Sequence, residues 1–448
     1  MNNTVIFMSD EHNPFYSSVY NHPFVKTPNM EKLKEIGTLY NNAYCPSPLC
    51  LPSRSSFLFG RRVHELQTYN NCHKNLKLKF ETFSRILGSK GIHLVHIGKA
   101  HYGKNIKQLG FNEVHLAKET ASDIYIQRNP LAIRKEAKKR GNGFGPKEGS
   151  LDSDIDCVNY AIKWLKNRSK VINKPWILYI NILKPHFPHF VSNELWEMYK
   201  SFEDLPKYNK KHESSKHPYA KAQRSHFQVE EFDDIQTKGL RRGYYGCVTF
   251  VDQQLGKIMN TLEEEDLFKN TNLIYTSDHG ELLGKFGMWW KCSLIEDAIR
   301  IPCIAAGPHF KKKSIIDTPV DLHDLQAFLF DSYEIDKNSY MLGFPLNKIN
   351  NNDQDRKIFS EYHGHGAPGS SFMIRKGKWK YVYYFDAPNQ LYDLDKDPSE
   401  MNNVYNHKDY KEIQQNLHKK LSELRTQYGD SDSLDQMHID RYVSKMRK

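Results

Sequence analysis

The segment Cys50-Leu51-Pro52-Ser53-Arg54 has the residue types of a reactive thiol at the start of a helix. Pro52 suits the first helical turn, because the N–H group that proline lacks has no partner there. Cys50 would then lie beside free backbone N–H groups and the Arg54 guanidinium, where negative charge is favoured. Such surroundings lower the pKa of a thiol, so the segment predicts a nucleophilic thiolate. The alternative interpretation is a buried structural cysteine that precedes a helix.

Two clusters of potential metal ligands follow apolar runs that are typical of buried strands. Residues 4–8 lead into Ser9-Asp10-Glu11-His12-Asn13, and residues 272–276 lead into Ser277-Asp278-His279-Gly280. In α/β proteins, ligands bind beyond the carboxyl ends of the strands, where both clusters would lie. Carboxylate oxygens suit hard cations such as Ca²⁺, and a histidine nitrogen favours Mn²⁺. From the residues alone, each cluster can also be a polar turn.

Two further strand ends carry side chains that suit an anion. One apolar run ends in Gly98-Lys99-Ala100-His101, whose lysine and histidine can project to the same side. Lysine supplies a fixed positive charge, and histidine can exchange protons near neutral pH. A second strand, residues 176–182, leads to Lys184-Pro185-His186-Phe187-Pro188, where two prolines would hold the histidine in a fixed direction. These side chains are candidates for contact with an anionic substrate.

Taken together, these motifs resemble those of type I sulfatases, in the alkaline phosphatase superfamily. The resemblance extends over residues 4 to about 400 in the family's order, and it includes Gly60-Arg61 after the cysteine motif, Glu296-x-x-x-Arg300-x-Pro302 and residues 391–400. Tyr69-Asn70-Asn71 is similar to a loop of choline-sulfatase-like members. The resemblance implies an enzyme that hydrolyses a sulfate monoester to an alcohol and inorganic sulfate.

The resemblance also implies which residues form the active site and what each of them does. Cys50 would be oxidised to formylglycine, whose hydrated aldehyde attacks sulfur beside one divalent cation, Ca²⁺ or alternatively Mn²⁺ or Mg²⁺. The implied metal ligands are Asp10, Glu11, Cys50 as formylglycine, Asp278 and His279. The implied catalytic residues are Cys50, Arg54, Lys99, His101, His186 and Lys291, and the implied substrate-binding residues are Asn71, Lys99, His186 and Lys291. In this scheme His186 or Lys291 protonates the leaving alcohol, and His101 takes the proton whose removal expels sulfate.

The order of the elements predicts an α/β fold. The resemblance implies an alkaline-phosphatase-like architecture, with a large mixed, mostly parallel sheet flanked by helices and a smaller C-terminal antiparallel sheet plus helix. Residues 1–345 would form the catalytic domain and residues 346–448 the C-terminal subdomain. Alternating apolar residues at 371–375 and 379–384 predict antiparallel strands, and a final helix is predicted over residues 410–428.

Three other segments surround the predicted site. Residues 120–150 are basic and punctuated by glycine, which predicts a lid or an insertion. Residues 199–238 are polar and are interpreted as an excursion over the site. Residues 240–262 show the apolar spacing of a long amphipathic helix.

The composition narrows the class of protein. The chain has 448 residues, a formal net charge of +11 and 39% hydrophobic residues, which is typical of a globular protein. The lysines are scattered and no nucleic-acid-binding motif occurs, so no nucleic-acid partner is predicted. The seven cysteines are widely spaced without a CxxC pair, which argues against a disulfide framework or a zinc site. No signal peptide or membrane span is recognised, which predicts a cytoplasmic protein with reduced thiols.

The predicted partners are a small anionic sulfate ester and a formylglycine-generating or equivalent maturation enzyme, and a homo-oligomer is compatible with the sequence. Two other functions stay open: a phosphonate monoester or phosphodiester hydrolase on the same scaffold, and a non-catalytic anion-binding protein with Cys50 unmodified. The substrate is open as well. Trp289 and Trp290 would suit a quaternary ammonium, whereas the basic composition favours an acidic or sulfated sugar.

Overall fold

The computed structural model describes residues 2–71, 80–102, 106–118, 133–134 and 137–426. The strands in these ranges are β1 (Asn3–Asp10), β2 (Gly37–Tyr40), β3 (Ala43–Tyr44), β4 (His93–Lys99), β5 (Glu113–Lys118), β6 (Phe144–Pro146), β7 (Trp176–Pro185), β8 (His189–Val191), β9 (Thr271–Ser277), β10 (Arg300–Ile301), β11 (Cys303–Ala306), β12 (Ser314–Ile316), β13 (Val320–Asp321), β14 (Lys357–Tyr362), β15 (Ser371–Lys376), β16 (Trp379–Tyr384) and β17 (Gln390–Asp393). The helices are α1 (Pro28–Glu35), α2 (Cys50–Phe59), α3 (Val63–Leu66), α4 (Phe83–Ser89), α5 (Ala137–Arg140), α6 (Asp152–Asn167), α7 (Asn193–Met198), α8 (Pro218–Phe227), α9 (Asp234–Glu264), α10 (Glu296–Ile299), α11 (Leu322–Ser332) and α12 (Lys411–Thr426).

The largest sheet has the strand order β12-β2-β11-β9-β1-β7-β4-β5. Strands β9, β1, β7, β4 and β5 run parallel to one another, whereas β11 is antiparallel to both β9 and β2. This confirms the predicted mixed, mostly parallel sheet. The parallel strands place their carboxyl ends at one edge of the sheet, where the predicted functional residues follow them.

Strand β1 lies near the middle of this sheet and is buried on both faces. Its alternate side chains enter two separate cores, Val5 and Phe7 on one face and Ile6 and Met8 on the other, as the two-residue period of a strand requires. Apolar residues of α1, α6 and α9 complete the first core, and those of α2, α4 and α11 complete the second. Helices therefore flank both faces, as predicted.

The C-terminal part forms an antiparallel sheet in the order β14-β15-β16-β17, and α12 packs against β15 and β16. Leu417 and Leu421 of α12 lie in one apolar cluster with Ile374 and Leu391 of the sheet. This confirms the predicted smaller sheet with its helix. The division of the chain at residue 345 stays a prediction.

A buried lysine joins the two parts of the protein. Lys380 of β16 is fully buried, and its Nζ donates to Glu296 Oε1 of α10 at 2.9 Å and to Glu400 Oε1 at 2.6 Å. Because α10 lies close to the carboxyl end of β9, the C-terminal sheet supports the side of the central sheet that carries the candidate site.

Several predicted segments differ from the structure in extent. The amphipathic helix predicted over residues 240–262 is part of the longer α9, which begins after the capping residue Asp233. In the predicted lid, residues 120–132 lie outside the described ranges, and the later part forms α5 and β6, which pairs with β8. Among the described helices, none is long and apolar enough to cross a membrane.

Candidate active site

Five candidate residues from distant parts of the sequence meet at one edge of the central sheet. Asp10 ends β1, Lys99 ends β4, Asp278 follows β9 and His186 follows β7. The four strands are parallel neighbours in the order β9-β1-β7-β4, so their carboxyl ends lie side by side. Helix α2 begins at the same place with Cys50, which gives the thiol the predicted position at a helix N-terminus.

Four of the predicted metal ligands form a compact buried group. Asp10, Cys50, Asp278 and His279 each offer a ligand atom, and these atoms all lie within 4.8 Å of one another. Cys50 Sγ is 3.2 Å from His279 Nε2 and 3.8 Å from Asp10 Oδ1. His279 Nδ1 donates to the Gly280 carbonyl oxygen at 3.0 Å, which directs Nε2 toward the group. The group therefore has the oxygen and nitrogen donors that a divalent cation needs.

Arg54 lies beneath this group and does not line the cavity above it. Its Nε donates to Asp278 Oδ2 at 2.7 Å, its Nη2 to Asp10 Oδ2 at 3.1 Å and its Nη1 to Asn181 Oδ1 at 2.8 Å. All three partners are fully buried. The guanidinium thus balances the charge of two buried carboxylates and fixes their direction, which is a positioning role for a residue predicted among the catalytic ones.

The two predicted sulfate-binding lysines each face a carboxylate. Lys99 Nζ forms an ion pair with Asp10 Oδ2, and Lys291 Nζ donates to Glu11 Oε2 at 3.0 Å. His186 Nε2 lies 3.2 Å from the same Glu11 oxygen and 3.9 Å from Asp10 Oδ1. Glu11 therefore contacts Lys291 and His186 and lies outside the compact four-residue group. Its place among the metal ligands stays a prediction.

The charges around Cys50 favour its thiolate. Burial alone would raise the pKa of the thiol, but Lys291, Lys99 and His279 outweigh burial and hold the pKa well below its ordinary value. The pKa of His279 is shifted upward. Burial disfavours the charged imidazolium, but the Asp278 carboxylate raises the pKa to about 9. The centre therefore stabilises negative charge at the position of the Cys50 side chain.

Two further histidines that line the cavity, His101 and His186, have lowered pKa values, which favours their neutral forms. Burial lowers the pKa of His101, whose imidazole lies beside Cys50. Burial and the charge of Lys291 lower the pKa of His186 to about 3. His186 Nδ1 donates to the Phe187 carbonyl oxygen at 2.6 Å, and Nε2 is the nitrogen that faces Glu11. Neutral imidazoles of this kind can accept a proton during a reaction.

A cavity of about 180 Å³ opens above these groups. The residues that line it are Leu49, Cys50, Asn71, Lys99, His101, Arg134, Arg140, Leu183, His186, Phe187, Phe227, Trp290, Lys291, Cys292 and His365. Six of the predicted site residues are among them: Cys50, Asn71, Lys99, His101, His186 and Lys291. Asp10, Glu11, Arg54, Asp278 and His279 are buried beneath the cavity and form its floor. The structure thus separates a charged floor from the wall of a small-molecule cavity.

Several residues of the wall were not predicted. Arg134 and Arg140 come from the basic segment interpreted as a lid, and its run of basic residues at 134–140 is the signal that could have identified them. Phe227 ends α8, which lies in the predicted excursion over the site. Trp290 lines the cavity, whereas Trp289 does not and packs against Phe232. The two neighbouring tryptophans therefore do not form an aromatic box together.

Comparison with known families gives two matches that together span most of the chain. The model described as "Sulfatase" matches residues 2–334, and the model described as "N-sulphoglucosamine sulphohydrolase, C-terminal" matches residues 284–427. Among curated proteins, the choline-sulfatase of Rhizobium meliloti is 25% identical, over 85% of this chain and 78% of that protein. Human arylsulfatase K is 26% identical, over 98% of this chain and 85% of that protein.

Solved structures share the fold at lower identity. A protein in complex with its substrate D-glucosamine-2-N,6-O-disulfate superposes with a TM-score of 0.75 at 21% identity, covering 95% of this chain and 98% of that chain. The phosphonate monoester hydrolase of Agrobacterium radiobacter superposes with a TM-score of 0.78 at 20% identity, covering 96% of each chain. At these identities the likeness concerns the architecture.

Proposed function

The chain belongs to the sulfatase family and is a sulfuric ester hydrolase, and we propose that Cys50, converted to formylglycine, carries the nucleophile of its reaction. The observation that supports this most directly is the position of Cys50. Its side chain ends at the cavity floor, between two lysines and a group of buried metal-binding side chains. The pKa values of Cys45, Cys247, Cys292 and Cys303 are instead raised by burial.

We propose that Asp10, Asp278, His279 and the modified Cys50 hold one divalent cation. The donor set fits, because two carboxylates and an imidazole converge with the position of Sγ, where an oxygen of the hydrated aldehyde would stand. When bound, the cation would offset the charge of the sulfuryl oxygens, and the hydrated aldehyde would supply the attacking hydroxyl. Ca²⁺ suits the carboxylates best, with Mn²⁺ or Mg²⁺ as alternatives.

The chain's own side chains have separable tasks in this scheme. Lys99 and Lys291 reach the cavity with their ammonium groups and would bind the sulfate oxygens of the ester. The proton for the leaving oxygen is held at Lys291 Nζ, or at His186 Nε2 once the anionic ester lies beside it. His101 is buried beside Cys50, and burial lowers its pKa and favours the neutral imidazole, which can accept the proton whose removal expels sulfate. Positioned acid–base groups of this kind typically contribute about 10²–10⁴-fold in rate.

Phosphonate monoester or phosphodiester hydrolysis on the same floor is the second candidate. The observation in its favour is the architecture shared with a phosphonate monoester hydrolase at a TM-score of 0.78. It is weaker support than the family match, because similarity at 20% identity concerns the fold. The third possibility, a non-catalytic anion-binding protein, requires that Cys50 stays unmodified.

One experiment separates these functions. The protein is produced together with a formylglycine-generating enzyme, and mass spectrometry of the peptide that contains Cys50 measures the oxidised fraction. Initial rates are then compared for an aryl sulfate, an aryl phosphonate monoester and an aryl phosphodiester with the same leaving group. We expect the aryl sulfate to have the highest kcat/KM. A higher value for either phosphorus ester would contradict the proposed preference.

Two substitutions serve as the matched pair for this assay. Cys50→Ala removes the proposed nucleophile, and Cys247→Ala removes a buried cysteine of α9 that does not line the cavity. We expect turnover to disappear in the first variant and to persist in the second. Equal rates in Cys50→Ala and the unchanged protein would overturn the assignment of the nucleophile.

The maturation enzyme and the cytoplasmic location are further proposals. The described cysteines are free thiols, which supports a reducing compartment. Within such a compartment, Cys50 would be oxidised by a formylglycine-generating or equivalent enzyme. A cavity of this size supports a small sulfate ester as the substrate.

A further inference from the structure

We propose that Gln223 and Glu281 are positioning residues of the sulfatase reaction, because they hold the backbone turn that presents Lys291 to the cavity. This turn consists of residues 289–292, and we call it the Lys291 turn. The inference rests on the proposed function, in which Lys291 binds the sulfate oxygens of the ester. Gln223 and Glu281 do not line the cavity themselves, so both act through Lys291.

The Lys291 turn has an unfavourable backbone on both sides of the lysine. Trp290 has a φ of 65° and Cys292 has a φ of 76°, in the left-handed region that residues with a Cβ atom rarely adopt. Such conformations persist where the surrounding structure holds them. The direction in which the Lys291 side chain leaves the backbone therefore depends on the contacts that hold its two neighbours.

Glu281 holds the middle of the Lys291 turn. It is fully buried, and its Oε1 accepts from the Trp290 N–H at 2.6 Å and from the Leu283 N–H at 2.8 Å. The Leu282 N–H donates in turn to the Trp290 carbonyl oxygen at 2.6 Å. Both backbone polar groups of Trp290 are therefore bonded, and one carboxylate oxygen ties together the two ends of residues 283–290.

Gln223 of α8 bonds to the turn on both sides of Trp290. It is buried, and its Nε2 donates to the Trp289 carbonyl oxygen at 2.9 Å and to the Lys291 carbonyl oxygen at 3.2 Å. One amide nitrogen thus fixes the carbonyl groups before and after the left-handed residue. Because the second of these carbonyls belongs to Lys291 itself, loss of the amide would release the lysine directly.

The Lys291 turn is also joined to the segment that carries the nucleophile. The Cys292 N–H donates to the Pro48 carbonyl oxygen at 3.3 Å, two residues before Cys50. A turn that is fixed at this point and by Gln223 holds the Lys291 ammonium at a set distance from Cys50. Helix α8 therefore has a task besides placing Phe227 in the cavity wall.

The test compares matched substitutions in the matured full-length enzyme. Gln223→Met keeps an unbranched side chain of similar length and removes the amide nitrogen that bonds to the turn. Its control is Gln326→Met in α11. Gln326 is also buried, and its Nε2 also donates to two backbone carbonyl oxygens, those of Phe57 at 2.6 Å and Leu58 at 3.1 Å. Both variants lose two buried hydrogen bonds, but only the first loses bonds to the Lys291 turn.

Glu281 provides a second pair of variants. Glu281→Gln keeps an oxygen that can accept from the Trp290 and Leu283 N–H groups, whereas Glu281→Met removes it. For each variant, kcat/KM is measured for an aryl sulfate, and the Ki of inorganic sulfate is measured by product inhibition. Lys291→Gln serves as the reference for complete loss of the ammonium group. Thermal melting measures the stability of each variant.

We expect Gln223→Met and Glu281→Met to raise the Ki of sulfate by about tenfold or more, the effect of losing a charge-assisted hydrogen bond. The kcat/KM value should fall with it, because the ester presents the same sulfate oxygens to Lys291. Glu281→Gln should keep the Ki of the unchanged enzyme, since the acceptor oxygen remains. Gln326→Met should melt at a lower temperature, as Gln223→Met does, and yet keep the Ki of the unchanged enzyme.

Two results would overturn the inference while the proposed function stays in place. One is the same Ki for sulfate in Gln223→Met as in Gln326→Met, with both proteins folded. The other is a Ki in Glu281→Gln equal to that in Glu281→Met, because the bonds to the turn would then make no difference. If Gln223→Met does not fold, the Glu281 pair decides.

Two other results concern the proposed function itself. An unchanged Ki in Lys291→Gln would contradict the assignment of Lys291 to the sulfate group. Absence of aryl sulfate turnover in the unchanged enzyme, with Cys50 shown to be oxidised, would overturn the proposed sulfatase reaction. Either result would remove the basis of this inference as well.

Discussion

Replacing Arg54 with glutamine removes the guanidinium that bonds to both Asp10 and Asp278, and we expect a large loss of stability. Both carboxylates are fully buried. Asp10 keeps an ion pair with Lys99 in the variant, but Asp278 loses its shortest cationic contact, 2.7 Å from Arg54 Nε. Removing one partner of a buried ion pair costs about 3–5 kcal/mol, because the other charge stays buried without compensation. The free energy of unfolding should fall by that amount.

The assay is urea unfolding in a chelator and then with added Ca²⁺. A cation that binds the folded state at about 100 times its Kd adds about 2.7 kcal/mol of stability. In Arg54→Gln the cation would also compensate the Asp278 carboxylate, so its stabilising effect should be larger than in the unchanged protein. Lys166→Gln is the control, since this lysine pairs with Glu264 at the exposed surface. It should change the unfolding free energy by less than about 0.5 kcal/mol.

Two results would refute this reasoning. A loss below about 1 kcal/mol for Arg54→Gln in the chelator would mean that the two carboxylates do not depend on the guanidinium. Equal stabilisation of both proteins by Ca²⁺ would mean that Arg54 and the cation do not share these carboxylates. The second result would also argue against Asp278 as a metal ligand.

Three further predictions concern the nucleophile, the base and the C-terminal sheet. Cys50→Ala should reduce kcat for an aryl sulfate below detection, while the protein stays folded. His101→Gln should lower kcat by about 10²–10⁴-fold, measured at saturating substrate, and a smaller loss would contradict its role as a base. Burial would raise the pKa of Glu361, but His64 and His363 hold it well below its ordinary value of 4.5. Because the folded pKa is depressed, this stabilisation is complete above about pH 4.5 and is lost as pH falls further. When thermal melts are compared from pH 4.5 downward, Glu361→Gln should therefore lose less stability than the unchanged protein. The same dependence of melting temperature on pH in both proteins would contradict the argument.

The floor of the site could be predicted from sequence for a physical reason. Its residues follow buried strands or begin a helix, and apolar runs such as residues 4–8 identify those elements by themselves. Parallel strands then bring their carboxyl ends together, so Asp10, Lys99 and Asp278 had to meet once the sheet was correctly inferred. The position of Cys50 at a helix N-terminus followed in the same way from Pro52.

The wall of the cavity could not be predicted in this way. Phe227 and Arg140 lie in segments without regular apolar periodicity, and their position depends on how α5 and α8 pack on the rest of the protein. Asn181 shows a second reason. It lies within β7 and was interpreted as part of a buried strand, but its side chain bonds to Arg54, a contact that no local pattern encodes.

Substitutions in the floor and in the wall should affect different properties: the stability of the protein in the first case and its substrate selectivity in the second. Floor residues such as Arg54 and Asp278 are fully buried and compensate one another's charge, so a substitution there affects folding and chemistry together. Wall residues such as Phe227 and Arg140 line the cavity instead, so a substitution there changes the surface that the leaving group meets. Variants of the two layers should therefore differ in kind: Arg54→Gln should shift the unfolding curve, whereas a substitution in the wall should shift the ratio between substrates.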